Sequence, residues 1–149
     1  MIDGAFLAKI GSTFALAFVY FWASIPAGMA LGLTPVLVAL TSWASYATGV
    51  VLMVLLGEPL RRRLLARLGG KLASNPESLV RRVWDRFGLI GLSLLAPVTI
   101  GSQTGAAIGL LFGASPRRLM IGMSLGGALW AIIITVAVLL GVSGAKAIH

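Results

Sequence analysis

The stretch Gly32-Leu33-Thr34-Pro35 opens an apolar run over residues 36–57, and a near copy, Gly113-Ala114-Ser115-Pro116, stands just before a second run over residues 119–141. Each copy follows a short, glycine-rich apolar stretch. The order is the same both times: a short broken helix, a small residue, a hydroxyl residue, a proline and a long helix. Such a repeat is typical of transporters built from two related halves. The repeat therefore predicts a small membrane protein with two such halves.

The composition indicates that lipid, not water, surrounds the chain. Of its 149 residues 58% are apolar and 11% are charged, and the mean hydropathy is +1.00. A soluble domain of this size could not bury so much apolar surface. We expect residues 1–149 to form a single integral membrane domain, with one half over about 1–57, a basic linker over 58–87 and the other half over about 88–149.

Several kinds of chemistry are excluded by missing residue types. The chain has no cysteine, which excludes disulfides and thiolate metal sites, and its one histidine is the last residue, His149. No nucleophile, base and orienting group can be assembled from the remaining residues. We therefore expect no metal, no cofactor and no enzymatic activity.

The charge is strongly positive and concentrated in the linker. Twelve basic residues stand against four acids, and eight of the twelve fall between Arg61 and Arg86. The positive-inside rule places such a cluster in the cytoplasm beside anionic headgroups, although a specific polyanion site is the alternative. No soluble domain exists to present the cluster to nucleic acid, so the expected partners are membrane lipids.

In the first half, residues 4–22 form an apolar run just long enough to span a bilayer. Pro26 is expected to interrupt the chain, and residues 27–33 are too short to cross, which predicts a re-entrant element. Residues 36–56 should span. In the linker, two amphipathic segments are expected at the cytoplasmic interface, the second one capped by Asn75.

The second half follows the same plan. Residues 88–96 are too short to cross, Pro97 is expected to end them, and small and polar residues follow over 98–105. Residues 106–112 should return as a half-helix, and 119–142 should span. We expect four prolines to break the hairpins: Pro26, Pro35, Pro97 and Pro116.

These elements predict an inverted repeat. If the basic linker is inside, the second hairpin enters from the inside and the first from the outside, so the two halves have opposite orientations. Such an arrangement lets one site face either side of the membrane in turn. Whether residues 4–22 span fully, and hence on which side the N-terminus lies, stays open.

The candidate site is the densest uncharged polar cluster in an apolar segment: Thr99, Ser102, Gln103 and Thr104. Between two half-helices these groups could hold a ligand, or they could cap helix ends and join helices. Ser24 and Thr34 are further candidates in the first half. Arg117 and Arg118 could attract an anionic headgroup, or simply anchor the chain at the interface.

The arrangement resembles the small multidrug export protein family, which is similar in turn to the DedA (VTT-domain) membrane proteins. The resemblance covers about residues 24–142. It rests on the stretches Ile25 to Pro35, Pro97 to Ala107, Phe112 to Arg118, and Gly126-Gly127-Ala128-Leu129-Trp130. It implies two re-entrant hairpins that face each other, and links to drug tolerance and to movement of lipid carriers between leaflets. The export family tends to carry Glu-x-Arg ahead of its Ile-Pro, and neither charge is present in residues 20–24 here.

The sequence thus predicts an all-α, polytopic membrane protein of the bacterial inner membrane that exports small molecules or moves lipids. Its site would lie between two re-entrant hairpins. Two alternatives from other classes are a small oligomeric channel and a non-transporting subunit of a membrane complex. Because so short a chain encloses little space, we expect a homo-oligomer, in the simplest case a dimer. A GxxxG pattern, Gly122 to Gly126, could serve helix packing within one chain or across that dimer.

Overall fold

A computed structural model describes residues 3–56, 63, 66–67 and 79–147. Within these residues the chain is helical and contains no strand, as the sequence predicts. Outside the largely undescribed stretch 57–78, the helices are α1 (Gly4–Val19), α2 (Phe21–Ala30), α3 (Pro35–Leu55), α4 (Leu79–Thr99), α5 (Gly101–Leu111) and α6 (Pro116–Ala147). Most of the basic linker, including Asn75 and all of the first amphipathic segment except residues 63 and 66–67, lies outside the described residues.

The two long helices begin where the repeated motif predicts. Pro35 and Pro116 each occupy the first position of a helix, where the missing N–H costs nothing because it would have no partner. Both helices are long and apolar enough to cross a membrane, over Pro35–Leu55 and Pro116–Ser143. The expectation that a long apolar helix follows each of these two prolines is confirmed, whereas their role in breaking hairpins stays a prediction.

The first corner does not lie where the sequence predicts. The helix breaks at Tyr20, with φ −132° and ψ 82°, whereas Pro26 lies inside α2. The expected interruption at Pro26 is therefore wrong. Proline removes one helical hydrogen bond, the one to Trp22, and α2 continues on either side of it. The Ser24 N–H already bonds the Tyr20 carbonyl oxygen at 3.2 Å, so the new helix starts directly after the break.

The second corner differs in the same way. α4 continues through Pro97 to Thr99, and only Ile100 separates it from α5. The expectation that Pro97 ends the segment is therefore wrong, and most of the small and polar residues over 98–105 are helical. Gly101, with φ +76°, reverses the chain within one residue, and only glycine adopts such a conformation without strain. α4 has a further break at Gly88, with φ 56° and ψ −138°, which separates the end of the linker from the segment 89–99.

The turns that follow α2 and α5 have the same backbone hydrogen bonds. After α2, the Leu33 N–H bonds the Gly28 oxygen at 3.2 Å, and the N–H of Gly32, with φ +81°, bonds the Met29 oxygen at 3.0 Å. This pattern is a Schellman motif. The same bonds occur 81 residues later. The Ala114 N–H bonds the Gly109 oxygen at 2.9 Å, and the N–H of Gly113, with φ +84°, bonds the Leu110 oxygen at 3.2 Å. The sequence repeat is therefore also a repeat of the backbone.

The long helices cross where glycine leaves room. A Cβ at Gly127 of α6 would lie 2.6 Å from the ring of Tyr46 of α3, so only glycine fits there. The indole N–H of Trp43 donates to the Ser124 carbonyl oxygen at 2.9 Å across the same contact. Around this crossing, the buried core includes Ile25, Val38, Val50, Leu119 and Met123.

Candidate binding site between the two helix corners

A cavity of about 500 Å³ lies between the α1–α2 corner and the α4–α5 corner. One wall comes from each half of the chain. The first half contributes Phe18, Val19, Tyr20, Phe21 and Trp22, and the second contributes Pro97, Val98, Thr99, Ile100, Gly101, Gln103 and Thr104. We call this space the corner cavity.

Gln103 joins the two walls. Its side-chain amide N–H donates to the carbonyl oxygen of Phe18 at 3.0 Å. Phe18 lies in the last turn of α1, where carbonyl groups lack a partner within the helix. The amide of one half therefore completes the helix end of the other half, and its position in the cavity wall is fixed by that bond.

The two threonines on the cavity wall have different surroundings. The Thr99 hydroxyl donates to the Leu95 carbonyl oxygen, one turn back in α4, at 2.8 Å. The side chain is exposed, so its oxygen can still accept a hydrogen bond from a ligand. Thr104 lies half-buried one turn into α5.

The other predicted site residues do not line the corner cavity. Ser102 is buried against α3, where a Cβ on Gly49 would strike its hydroxyl oxygen. The Ser24 hydroxyl bonds the Phe21 carbonyl oxygen at 2.6 Å and the Ser42 hydroxyl at 2.7 Å. Thr34 lies exposed at the start of α3. The predicted cluster is thus divided between a cavity wall and two helix contacts, and substrate binding by any of its members stays a prediction.

The sequence interpretation missed the aromatic wall of the cavity. Tyr20 and Trp22 are more than half exposed, and Phe21 packs edge-on against Tyr46 with ring centroids 5.1 Å apart. The signal was the triplet Tyr20-Phe21-Trp22 itself, since three adjacent aromatic residues cannot all face one side of a helix. The break at Tyr20 brings all three residues to the cavity lining, with Tyr20 and Trp22 exposed and Phe21 packed into the core.

Residues 21–133 match a family model described as "Putative small multi-drug export protein". The chain belongs to this family. The match takes in all of α2, α3 and α5 and the α4–α5 corner. No curated protein and no solved structure matches the chain. The predicted resemblance to the export family is confirmed, whereas the likeness to DedA proteins stays a prediction.

The chemistry of the corner cavity in this export-family protein is aromatic and weakly polar. Among its described lining residues there is no Asp, Glu, Lys, Arg or His. Aromatic faces attract apolar rings and delocalised cations, while the amide and hydroxyl groups can orient a polar substituent. The cavity therefore suits flat, largely apolar molecules better than strongly hydrated ions.

Arg117 and Arg118 are separate from this cavity. Both are exposed in the first turn of α6, next to the Gly113 turn, and neither belongs to the cavity lining. Their position at the head of an apolar helix matches a membrane interface, where arginine side chains reach headgroup phosphates.

Proposed function

We propose that this protein is a multi-pass inner-membrane exporter that binds small, largely apolar aromatic molecules in the corner cavity. The observation that carries the proposal is the cavity itself, whose walls come from equivalent corners of two repeated halves. Its volume of about 500 Å³ lies within the range of small-molecule sites. The family description, a multi-drug export protein, agrees with a cavity that selects by aromatic character rather than by charge.

We further propose that α1–α2 and residues 89–111 are re-entrant hairpins in an inverted repeat. The segments α1, α2 and α5 have 16, 10 and 11 residues, and about 20 are needed to span. A small cavity between α3 and α6 is lined by Ala39, Leu40 and Trp43 on one side and Ala128, Ala131 and Ile132 on the other. Tyr46, which lies later in α3 than those residues, contacts Gly127, which lies earlier in α6. The residue numbers therefore rise in one helix as they fall in the other, which supports opposite directions for the two long helices.

A second candidate function, movement of a lipid between leaflets, is favoured by Arg117 and Arg118. These cations stand exposed at the head of a helix that is apolar over most of its length. A phosphate headgroup would meet them at the interface, and the predicted DedA likeness points the same way. A dimer would enlarge the enclosed space for either substrate.

The experiment compares two sets of polar groups in proteoliposomes loaded with ethidium. Thr99→Ala/Gln103→Ala/Thr104→Ala removes the polar groups of the cavity wall, and Ser24→Ala/Ser102→Ala removes two hydroxyls that do not line it. We expect the triple variant to lower the efflux rate by about tenfold, because losing about 1.4 kcal/mol of binding or orientation is sufficient. The double variant should retain most of the rate, since helix-joining hydrogen bonds in membranes average below about 1 kcal/mol.

The outcomes separate the candidates. Equal losses in the two variants would show that these polar groups act only in folding, and full activity of the triple variant would move the site elsewhere. A fluorescent phospholipid that changes leaflets while ethidium stays enclosed would select lipid movement instead. Passive leakage of small ions that is unchanged in both variants would favour a channel. Inactivity of the wild type toward every solute would favour a non-transporting partner subunit.

A further inference from the structure

A second, apolar groove lies between α4 and α6 and shares no residue with the corner cavity. Its volume is about 290 Å³. Its lining includes Leu89, Ile90 and Ser93 of α4 and Gly122, Leu125 and Gly126 of α6. We call it the α4–α6 groove, and its outer walls are exposed leucine and isoleucine side chains.

Two glycines form the floor of the groove. A Cβ on Gly122 would lie 2.9 Å from the Ser93 hydroxyl oxygen, and a Cβ on Gly126 would strike the Ser93 carbonyl oxygen. The GxxxG pattern therefore packs α6 against α4 within one chain. This close approach leaves Ile90 and Leu125 as the rims of the groove, where they are 73% and 66% exposed.

The Ser93 hydroxyl is buried and has no hydrogen-bond partner among the described residues. Ser93 is only 5% exposed and lines the groove. A buried hydroxyl without a partner lowers the stability of the folded protein. A ligand that brought an acceptor oxygen into this otherwise apolar groove would recover part of that free energy.

Three arginines lie a short length of chain before the groove. Gly122 lies against Leu89, and Gly126 lies against Ser93, so the residue numbers rise together and the two helices run in the same direction there. Arg86 precedes Leu89 by three residues, at most about 11 Å of chain. Arg117 and Arg118 precede Gly122 by about 6–8 Å along α6. Arg86, Arg117 and Arg118 are all exposed.

We propose that the α4–α6 groove binds an anionic phospholipid of the surrounding bilayer. An acyl chain lies between Ile90 and Leu125, an ester carbonyl oxygen accepts the Ser93 hydroxyl, and the phosphate faces the arginine end. Ser93 is one helical turn, about 6 Å, beyond Leu89, which matches the step from headgroup to ester. Clustered arginines at one end select an anionic lipid over a zwitterionic one. The site is independent of the corner cavity and does not rest on the exporter proposal.

The test measures lipid binding to the detergent-purified protein by native mass spectrometry. The probes are dioleoyl phosphatidylglycerol and dioleoyl phosphatidylcholine, which share their acyl chains, with glycerol phosphate as the free headgroup. Wild type should bind phosphatidylglycerol about tenfold more tightly than phosphatidylcholine, and Arg86→Gln/Arg117→Gln/Arg118→Gln should abolish the preference. Ser93→Ala should weaken both lipids by about fivefold, because the ester is common to them. Glycerol phosphate should not compete.

A matched pair of variants tests the groove itself. Leu125→Trp fills it, whereas Leu140→Trp places the same ring on the same helix about 22 Å away, at a residue of similar exposure, 68%. Only Leu125→Trp should lower phosphatidylglycerol affinity, by about tenfold. Ile90→Ala, which removes one rim and introduces no clash, should lower it in the same direction.

Several results would overturn the proposal. Equal affinities of wild type for the two lipids would refute phosphate binding by the arginines. Equal effects of Leu125→Trp and Leu140→Trp would refute lipid binding in the groove. Dissociation of a dimer by Leu125→Trp would assign the groove to a second copy of the chain. Competition by ethidium would assign it to the exported molecule. None of these results depends on whether the protein transports anything.

Discussion

The two halves of the molecule make the same helix contacts with different side chains. In the first half, α2 meets α3 through the hydroxyls of Ser24 and Ser42, whose oxygens are 2.7 Å apart. The equivalent positions, 81 residues later, are Gly105 and Met123, and a Cβ on Gly105 would lie 2.8 Å from the Met123 methyl group. A hydrogen bond in one half corresponds to a glycine and a methionine in the other.

The next contact shows the same exchange. The Ser45 hydroxyl of α3 donates to the Phe14 carbonyl oxygen of α1 at 2.7 Å. Its equivalent is Gly126, whose backbone lies directly against the Ser93 carbonyl oxygen of α4. The comparison teaches that small volume at these positions, rather than hydrogen bonding, maintains the common arrangement of helices. In lipid this is expected, because packing of small residues is what brings helices together.

The largest effect should come from adding volume to a glycine contact. Gly126→Val forces two methyl groups into the Ser93 carbonyl, and since backbone cannot move away cheaply we expect a loss of about 3 kcal/mol or more. Gly141→Val is the control, because a Cβ at Gly141 meets nothing within 4 Å. Thermal unfolding in detergent should show little folded Gly126→Val and nearly normal Gly141→Val. Similar stability of the two variants would refute the volume argument.

An intermediate and equal effect is expected at the repeated turns. Gly32→Ala and Gly113→Ala place a Cβ on left-handed residues, with φ of +81° and +84°, which costs about 1–2 kcal/mol. Gly11→Ala, in the open middle of α1, should be neutral or slightly stabilising. Unfolding midpoints in denaturant measure all three. If only one of the two turn variants is destabilised, the halves are not equivalent at this position.

The smallest effect should come from the hydrogen bond that only the first half contains. A double-mutant cycle of Ser24→Ala and Ser42→Ala should give a coupling energy of about 0.6 kcal/mol, the average for such bonds in membranes. The free energies of unfolding of the two single variants and the double variant supply the cycle. A coupling above about 2 kcal/mol would mean that the polar contact, and not the volume, determines the first half.

Local signals in the sequence predicted the long helices. A proline fits the first position of a helix and a glycine fits a left-handed turn whatever surrounds them, so Gly32 to Pro35 and Gly113 to Pro116 could be interpreted without the rest of the molecule. The apolar runs that follow these motifs are long enough to be assigned as membrane-spanning helices. These features depend on residues within one or two turns of each other.

The corners and the site could not be predicted in the same way. Pro26 and Pro97 suggested breaks, yet each lies inside a helix, and the aromatic triplet over residues 20–22 does not by itself fix the residue at which α1 ends. Which polar groups face the corner cavity depends on the rotation of α5. Ser102 and Gln103 are adjacent, but successive residues of a helix differ by about 100°, so one faces α3 and the other the cavity. That rotation is decided by packing between distant parts of the chain.

The unequal lengths of the two long helices have a consequence for the bilayer. The 21 residues of α3 extend about 31 Å, close to the hydrocarbon thickness of about 30 Å, whereas the apolar 28 residues of α6 extend about 42 Å. In such a bilayer α3 can stand upright, but α6 must lean or lift its end, near Leu140, into the headgroups. We therefore expect membrane thickness to act on this protein through the angle between its two long helices, with thinner membranes opening that angle and thicker ones closing it.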